Sequence, residues 1–312
     1  MIHHPHQFQK GEYPELAIAL GFFDGVHIGH QKVISTATSI AKENNWKSAV
    51  MTFDPHPSVV LGKGKKPVQY ITPLEDKIKF INTLGVDYLF VIRFTSAFSS
   101  LEPEEFVNQY LINLNVKHVI AGFDYSYGKF GKGNMELLPK HSKGNFDVTT
   151  ISKLEKNNEK ISSTAIRQLI NNGDMQSARK LLGRYYITEG TVVNGDKRGR
   201  TIGFPTANVA LEGDYLTPKG GIYSVKFFVS GKWENGVCNV GYNPTFTDRK
   251  QLSIEVFILD YNQYIYGEKV AIEWHERIRD ELKFENVDDL IAEMNKDVET
   301  ARDYFKKLDK ET

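Results

Sequence analysis

The chain has 312 residues, 40% hydrophobic and 25% charged, the make-up of a soluble globular protein with room for two domains. Its 39 basic residues balance 39 acidic ones, so no net field draws a polyanion, and dominant nucleic-acid binding is not expected. Cys238 stands alone, which excludes an internal disulfide, and no apolar run reaches the ~18 residues of a membrane helix.

The start, Met1–His6, has no apolar core of a signal peptide. The expectation is a cytoplasmic protein, a monomer or weak homo-oligomer, with no membrane or nucleic-acid partner. His3, His4 and His6 could bind a metal, but no ligand pattern completes such a site.

The first half alternates strand and helix signals. Leu16–Leu20 is a short apolar run ending in Gly21, as a buried strand does. Residues 28–44 carry helical spacing through Val33, Ile34, Ala37, Ile40 and Ala41. Strands follow at 48–53, 88–92 and 118–121, separated by helices at 74–84, with Ile78 and Ile81 inward, and at 103–114. Such alternation implies right-handed crossovers and a parallel sheet whose ligands bind beyond the carboxyl ends of the strands. The segments 21–30, 53–57 and 122–128 each follow a strand, so three loops should meet in one cleft.

Two short helical patterns, broken at Asn171-Asn-Gly173, lie between Ser162 and Leu182. Beyond Gly183 the texture becomes β-branched and aromatic at 186–193, 221–229, 236–240, 252–259 and 268–274, with Gly, Asn and Asp between. That pattern predicts a compact antiparallel barrel or sandwich. Helical spacing returns at 286–308. The expected domains are therefore 1–183, an α/β unit on a parallel sheet, and 184–312, an antiparallel barrel or sandwich ending in a helix.

Two segments carry chemistry. In Gly21-Phe-Phe-Asp-Gly-Val-His27-Ile-Gly-His30, the start of a helix offers free N–H groups and a positive dipole end. Glycines let backbone approach an anion, and His27 and His30 can donate to phosphate oxygens. Helix capping and zinc binding with His56 are the other readings. Downstream, Ile161-Ser-Ser-Thr164-Ala-Ile-Arg167 offers a serine cap and an arginine one turn in, suited to a forked phosphate contact. Taken alone, that is also an ordinary cap with a surface arginine.

The second segment, Gly195-Asp-Lys-Arg-Gly199-Arg-Thr-Ile-Gly203 followed by Phe204-Pro-Thr-Ala-Asn208, is a glycine-spaced basic loop. It is not a Walker A loop, since no Gly-Lys-Ser/Thr opens a helix. Thr206 and Asn208 offer the hard oxygen ligands that Mg²⁺ prefers, although a hairpin turn with a basic rim would read the same. Glu255 alternates with Ile254, Val256 and Ile258. If those three face the core, Glu255 shares the opposite face with Ser253 and Phe257, either as a solvated residue or as a base for a substrate alcohol.

The two histidine- and serine-bearing motifs, with Phe53-Asp-Pro-His-Pro57 and Gly122-Phe-Asp-Tyr-Ser-Tyr-Gly128, resemble the nucleotidyltransferase domain of the prokaryotic bifunctional riboflavin kinase/FAD synthetase family. Gly203-Phe-Pro-Thr-Ala-Asn208, Gly221-Ile-Tyr-Ser-Val225, Asn239-Val-Gly-Tyr-Asn-Pro-Thr245 and the Glu255 strand resemble its kinase module, in the same order. Phe22 stands where the family often has Asn, and Asp124 where some members have Asn.

The resemblance implies a Rossmann-like α/β nucleotidyltransferase domain with a parallel sheet, followed by a small antiparallel β-barrel with a C-terminal helix. It implies phosphorylation of riboflavin to FMN and adenylylation of FMN to FAD, with ATP as co-substrate and Mg²⁺ as cofactor. It implies Glu255, His27, His30 and Arg167 as catalytic residues. Gly21, Phe23, Asp24, Gly29, Ser163, Thr164, Gly195, Lys197, Gly199, Arg200 and Gly203 would lie at ATP or phosphate. Pro57, Asp124 and Tyr127 would lie at the flavin, and Thr206 and Asn208 at the metal. A nucleotidyltransferase acting on another phosphate, and a binding module whose barrel reads RNA or a flavin, are the alternatives.

Overall fold

The computed structural model describes residues 1–6, 8–9, 11–62, 68–156, 159–195, 198–243 and 251–311. The chain divides into two compact units, Met1–Ser163 and Thr164–Thr312. The two helices at 164–182 thus group with the barrel.

In the first unit, strands β1 (Leu16–Leu20), β2 (Lys47–Asp54), β3 (Tyr88–Arg93), β4 (Val116–Gly122) and β5 (Asp147–Ile151) form one sheet in the order β3-β2-β1-β4-β5. Every pairing is parallel. Strand β1 is buried along its whole length, as a central parallel strand covered on both faces must be. Its Leu16, Ile18 and Leu20 enter one core with Phe106 and Tyr110. Its Ala17 and Ala19 enter the other, against Val33, Ile34, Ala37 and Ala41 of helix α1 (Ile28–Glu43). Small residues there let α1 lie close to the sheet.

Three expectations need correction. Strand β5 escaped the sequence reading. The helix expected over 103–114 is α-helical only at Pro103–Val107, and continues as a π-helical turn at Asn108–Ile112. In helix α2 (Leu74–Thr83), Ile81 is buried but Ile78 is 40% exposed, and Lys77 takes the inward place at 2%. Lys77 is the i−4 neighbour of Ile81, so the helix presents both on one face.

The second unit opens with α3 (Ser163–Asn172, of which Ser163 belongs to the first unit) and α4 (Met175–Leu182), the latter closed by left-handed Gly183. Strands β6 (Tyr186–Val193), β7 (Thr206–Leu211), β8 (Gly221–Val229), β9 (Lys232–Asn243), β10 (Gln251–Ile258) and β11 (Lys269–Arg279) close a barrel in the order β6-β7-β10-β9-β8-β11. All pairings are antiparallel. Closure removes the exposed strand edges that invite aggregation.

The last helix, α5 (Val287–Glu311), lays Ala301 and Phe305 on the outer wall against Ile222 and Val237. A two-pronged contact from Arg279 Nε and Nη2 to the Asp297 carboxylate, at 2.8 and 2.7 Å, fixes it there. The sequence reading did not find β7, because its residues were read as a metal-binding motif rather than as a strand.

Candidate active sites

The sheet order carries the first site. The chain runs from β1 outward through β2 and β3, then returns to β4 on the other flank of β1. The crevice between β1 and β4 is therefore the topological switch point, where open parallel sheets bind ligands. The segments after β1, β2 and β4 leave the same ends of three neighbouring strands, as expected.

The β1–α1 turn is built tightly. Gly21 N–H donates to the Met51 carbonyl at 3.2 Å, and Phe23, Gly25 and Val26 all adopt positive φ. Phe23, Asp24, Val26 and His27 are nonetheless buried. Such backbone persists only where surroundings hold it, and it concentrates at functional sites. The Asp24 carboxylate supplies part of that hold, accepting the N–H groups of Ile71 and Thr72 at 3.3 and 3.0 Å.

His27 is the N-cap of α1. Its Nδ1 accepts the His30 N–H at 3.2 Å, which leaves the proton of a neutral ring on Nε2, as a donor. The two imidazoles stack with centroids 3.6 Å apart, and a Cβ on Gly29 would stand 3.0 Å from His27 Cε1. Glycine at that position therefore leaves room for the ring. Capping and a functional role are not alternatives here: the cap sets the tautomer that a phosphate contact needs. His56 instead caps the short helix Pro57–Leu61, its Nδ1 accepting the Ser58 N–H at 3.1 Å. Among the described residues no cluster of three His, Cys, Asp or Glu side chains could hold a metal ion.

Ser163 Oγ donates to the Asp24 carbonyl at 2.9 Å and so braces the turn. Thr164 and Arg167 follow on α3, on the second unit's side of the division.

On the remaining loops, Pro57 is half-buried and Asp124 is exposed. Tyr127 is different. Its ring is 5% exposed and packs on Phe106, and its hydroxyl is bonded to His141 Nδ1 at 2.8 Å. Its side chain belongs to the core beneath the loop.

The second site lies on the outer wall of the barrel. Ile254, Val256 and Ile258 are buried, so alternation puts Glu255 on the opposite face, as expected. Its Oε1 accepts from Ser253 Oγ at 3.0 Å and its Oε2 from Thr206 Oγ1 at 3.2 Å. Strand register sets Asn208 of β7 and Asn239 of β9 directly beside Glu255 on either flank. One row across three strands thus reads Asn208, Glu255, Asn239.

The glycine loop comes down on this row. A Cβ on Gly195 would collide with the Asn208 amide, and one on Gly199 with the Phe204 carbonyl. Gly203 turns the chain at φ +88°. Phe204 is buried against Phe257, which anchors the loop's exit. Lys197 lies outside the described residues, as does the side chain of Arg200. Sequence reasoning did not give Asn239 a role. Its place in the row depends on which residue of β9 pairs with Glu255.

Thr206 and Asn208 fit a magnesium ion in kind. Both offer neutral hard oxygens beside a carboxylate, and Mg²⁺ is commonly held by few protein oxygens together with substrate phosphates and water.

A family model described as FAD synthetase matches residues 9–165, and one described as riboflavin kinase matches residues 182–305. The bifunctional riboflavin kinase/FMN adenylyltransferase of Listeria monocytogenes is 52% identical over 308 residues, covering 99% of this chain and 98% of that protein. The Bacillus subtilis protein of the same description is 51% identical over 311 residues, with the same coverage. A crystal structure of a Streptococcus pneumoniae protein described as a macrolide-efflux protein superposes with a TM-score of 0.86 at 36% identity, covering 97% of this chain and 99% of that one. Among the described residues of this chain, no helix is long and apolar enough to cross a membrane. With both models matched in order and curated relatives similar from end to end, the chain belongs to the bifunctional riboflavin kinase/FMN adenylyltransferase family.

Proposed function

We propose that the chain performs both reactions of that family on its two sites: ATP-dependent phosphorylation of riboflavin to FMN, then adenylylation of FMN by a second ATP to FAD. The functional division falls at Gly183, with adenylylation assigned to 1–183 and the kinase to 184–312.

In the barrel, Glu255 accepts the proton of the ribityl 5′-hydroxyl as that oxygen attacks the γ-phosphorus of ATP and ADP departs. The observation that carries this role is the pair of hydroxyl contacts on its carboxylate, which hold it in one orientation beside Asn208. Thr206 and Asn208 would hold Mg²⁺, which when bound neutralises charge on the phosphates. Lys197, Arg200 and the loop around Gly195, Gly199 and Gly203 cover the phosphates.

In the α/β unit, an oxygen of the FMN phosphate attacks the α-phosphorus of ATP and pyrophosphate leaves. Such a transfer asks the protein for alignment and charge stabilisation rather than a covalent intermediate. His27 and His30 meet the charge that moves toward the leaving group. Gly21, Phe23, Asp24 and Gly29 shape the cradle, and Ser163 braces it. Pro57, Asp124 and Tyr127 lie on the flavin side, Tyr127 packing on Phe106 beneath the loop that carries Asp124. Asp124 can accept a hydrogen bond but, ionised, cannot donate one as an amide would.

The experiment is a time course of purified protein with riboflavin, ATP and Mg²⁺, with the flavins separated by chromatography. FMN that rises and then gives way to FAD supports both assignments. FMN alone would leave only the kinase standing, and no turnover with oxidised or reduced flavin would remove the reading.

A further inference from the structure

Lys77 is the one described lysine whose buried ammonium sits beneath the β1–α1 turn. It is 2% exposed, a rare state for lysine without a carboxylate partner, and among the described residues none lies within ion-pair distance of it. Its Nζ instead donates to the Phe22 carbonyl at 2.8 Å and to Thr52 Oγ1 at 3.4 Å. It also lies 4.0 Å from the centroid of the Phe22 ring. Thr52, fully buried on β2, donates its own hydroxyl to the same Phe22 carbonyl at 2.8 Å.

Two donors from two elements thus converge on one carbonyl, just ahead of the positive-φ residues Phe23, Gly25 and Val26. The segment leading into α2 grips the turn a second time, through the Ile71 and Thr72 N–H groups on Asp24. The Phe22 ring is held edge-on by His56 at 4.4 Å on one side and by the Lys77 ammonium on another. Burial costs this cation: it draws the ammonium's pKa down to about 8, against the pull of Asp24 and Asp54. A methionine would fill the space without that cost, so stability alone does not account for the lysine.

We propose that Lys77 is a positioning residue for adenylyl transfer, its ammonium fastening the Phe22 carbonyl so that the turn through His27 and His30 is held in its working shape. This rests on the assignment of that turn to the adenylyl-transfer site. Phe22 belongs to the same device. Its aromatic face stabilises the buried cation.

The test is Lys77→Met in the full-length enzyme, with FMN adenylylation and riboflavin phosphorylation measured separately on the same preparation. The expected result is a fall in adenylylation kcat of about tenfold to a hundredfold, the scale of a misplaced catalytic group. KM for ATP should stay within about threefold and the kinase rate within about twofold. An adenylylation kcat within about twofold of wild type would overturn the proposal, as would equal losses of both activities.

If Lys77→Met fails to fold, Thr52→Val decides, since it removes the second donor in an apolar setting without removing a charge. A selective loss of adenylylation kcat supports the device, and no loss sinks it. His27→Ala run alongside separates the two readings. If it leaves adenylylation intact, the site assignment fails. If it abolishes adenylylation while Lys77→Met does not, only the role of Lys77 fails.

Discussion

Glu255→Gln is the sharpest perturbation of the barrel site. The carboxylate accepts one hydroxyl on each oxygen, from Ser253 at 3.0 Å and Thr206 at 3.2 Å. A glutamine keeps the shape and one accepting oxygen. Its amide meets the other hydroxyl as a donor, and a hydroxyl can rotate to accept. At most one hydrogen bond is weakened, about 1 kcal/mol of stability, and the strand's buried residues Ile254, Val256 and Ile258 are untouched.

The chemistry loses more. A positioned general base contributes about 10²–10⁴-fold, which is about 3–5 kcal/mol at 1.36 kcal/mol per decade. Riboflavin phosphorylation should therefore fall by at least about a hundredfold in kcat, while FMN-to-FAD conversion on the same sample stays unchanged. The assay is discontinuous flavin chromatography, started from riboflavin in one arm and from FMN in the other. Kinase kcat within about threefold of wild type would show that the base lies elsewhere, and loss of both conversions would assign Glu255 to structure.

Three further outcomes follow from the geometry. His27→Asn keeps a good N-cap on α1 but removes the imidazole donor, so it should melt near wild type while adenylylation falls about a hundredfold. His27→Ala should lose the same activity and about 1 kcal/mol of stability in a denaturant titration. Asn208→Ala should raise the Mg²⁺ needed for half-maximal kinase rate about tenfold, equivalent to about 1.4 kcal/mol, with adenylylation unmoved, and an unchanged Mg²⁺ curve would remove Asn208 from the metal site.

One more outcome concerns pH. His275 is buried between Tyr185, Tyr304 and Phe305, and bonds Glu273 at 2.8 Å. Burial outweighs the pull of Glu273 and holds the imidazole below its ordinary range. The unfolded chain therefore takes up the proton first as pH falls. The stability this ring contributes is complete above about pH 6.5 and declines as pH drops from there toward the lowered folded value. Melting curves of wild type and His275→Gln between about pH 7.5 and 5 should converge toward the acid end, and parallel curves would refute the sign.

Residues whose role is local were legible in the chain itself. Gly21–His30 spells a strand end, a tight turn and a helix cap within ten residues, and the period-2 pattern of 254–258 put Glu255 and Ser253 on one face before any register was known. Short-range sterics and alternation dictate such features whatever the rest of the molecule does.

What the sequence could not supply depends on pairing across the chain. Nothing near Asn239 says that it stands beside Glu255; only the β9–β10 register does. Strand β7 is marked by function more than by hydrophobicity, and it becomes a strand through its partners β6 and β10. Nothing near Tyr127 in the chain says that its ring packs on Phe106 or that its hydroxyl bonds His141; both contacts come from separate segments.

Lys77 shows the limit most plainly. Helical periodicity sorts residues by hydrophobicity and so chose Ile78. Burial of Lys77 instead is decided by a carbonyl fifty-five residues earlier in the chain, at Phe22, that needs its proton. The sequence by itself determined the change from alternating strand and helix to antiparallel strands, and the face of Glu255, because nearest-neighbour geometry suffices for them. The tertiary structure decided which polar groups meet, because a buried hydrogen bond depends on where distant segments of the chain come to rest.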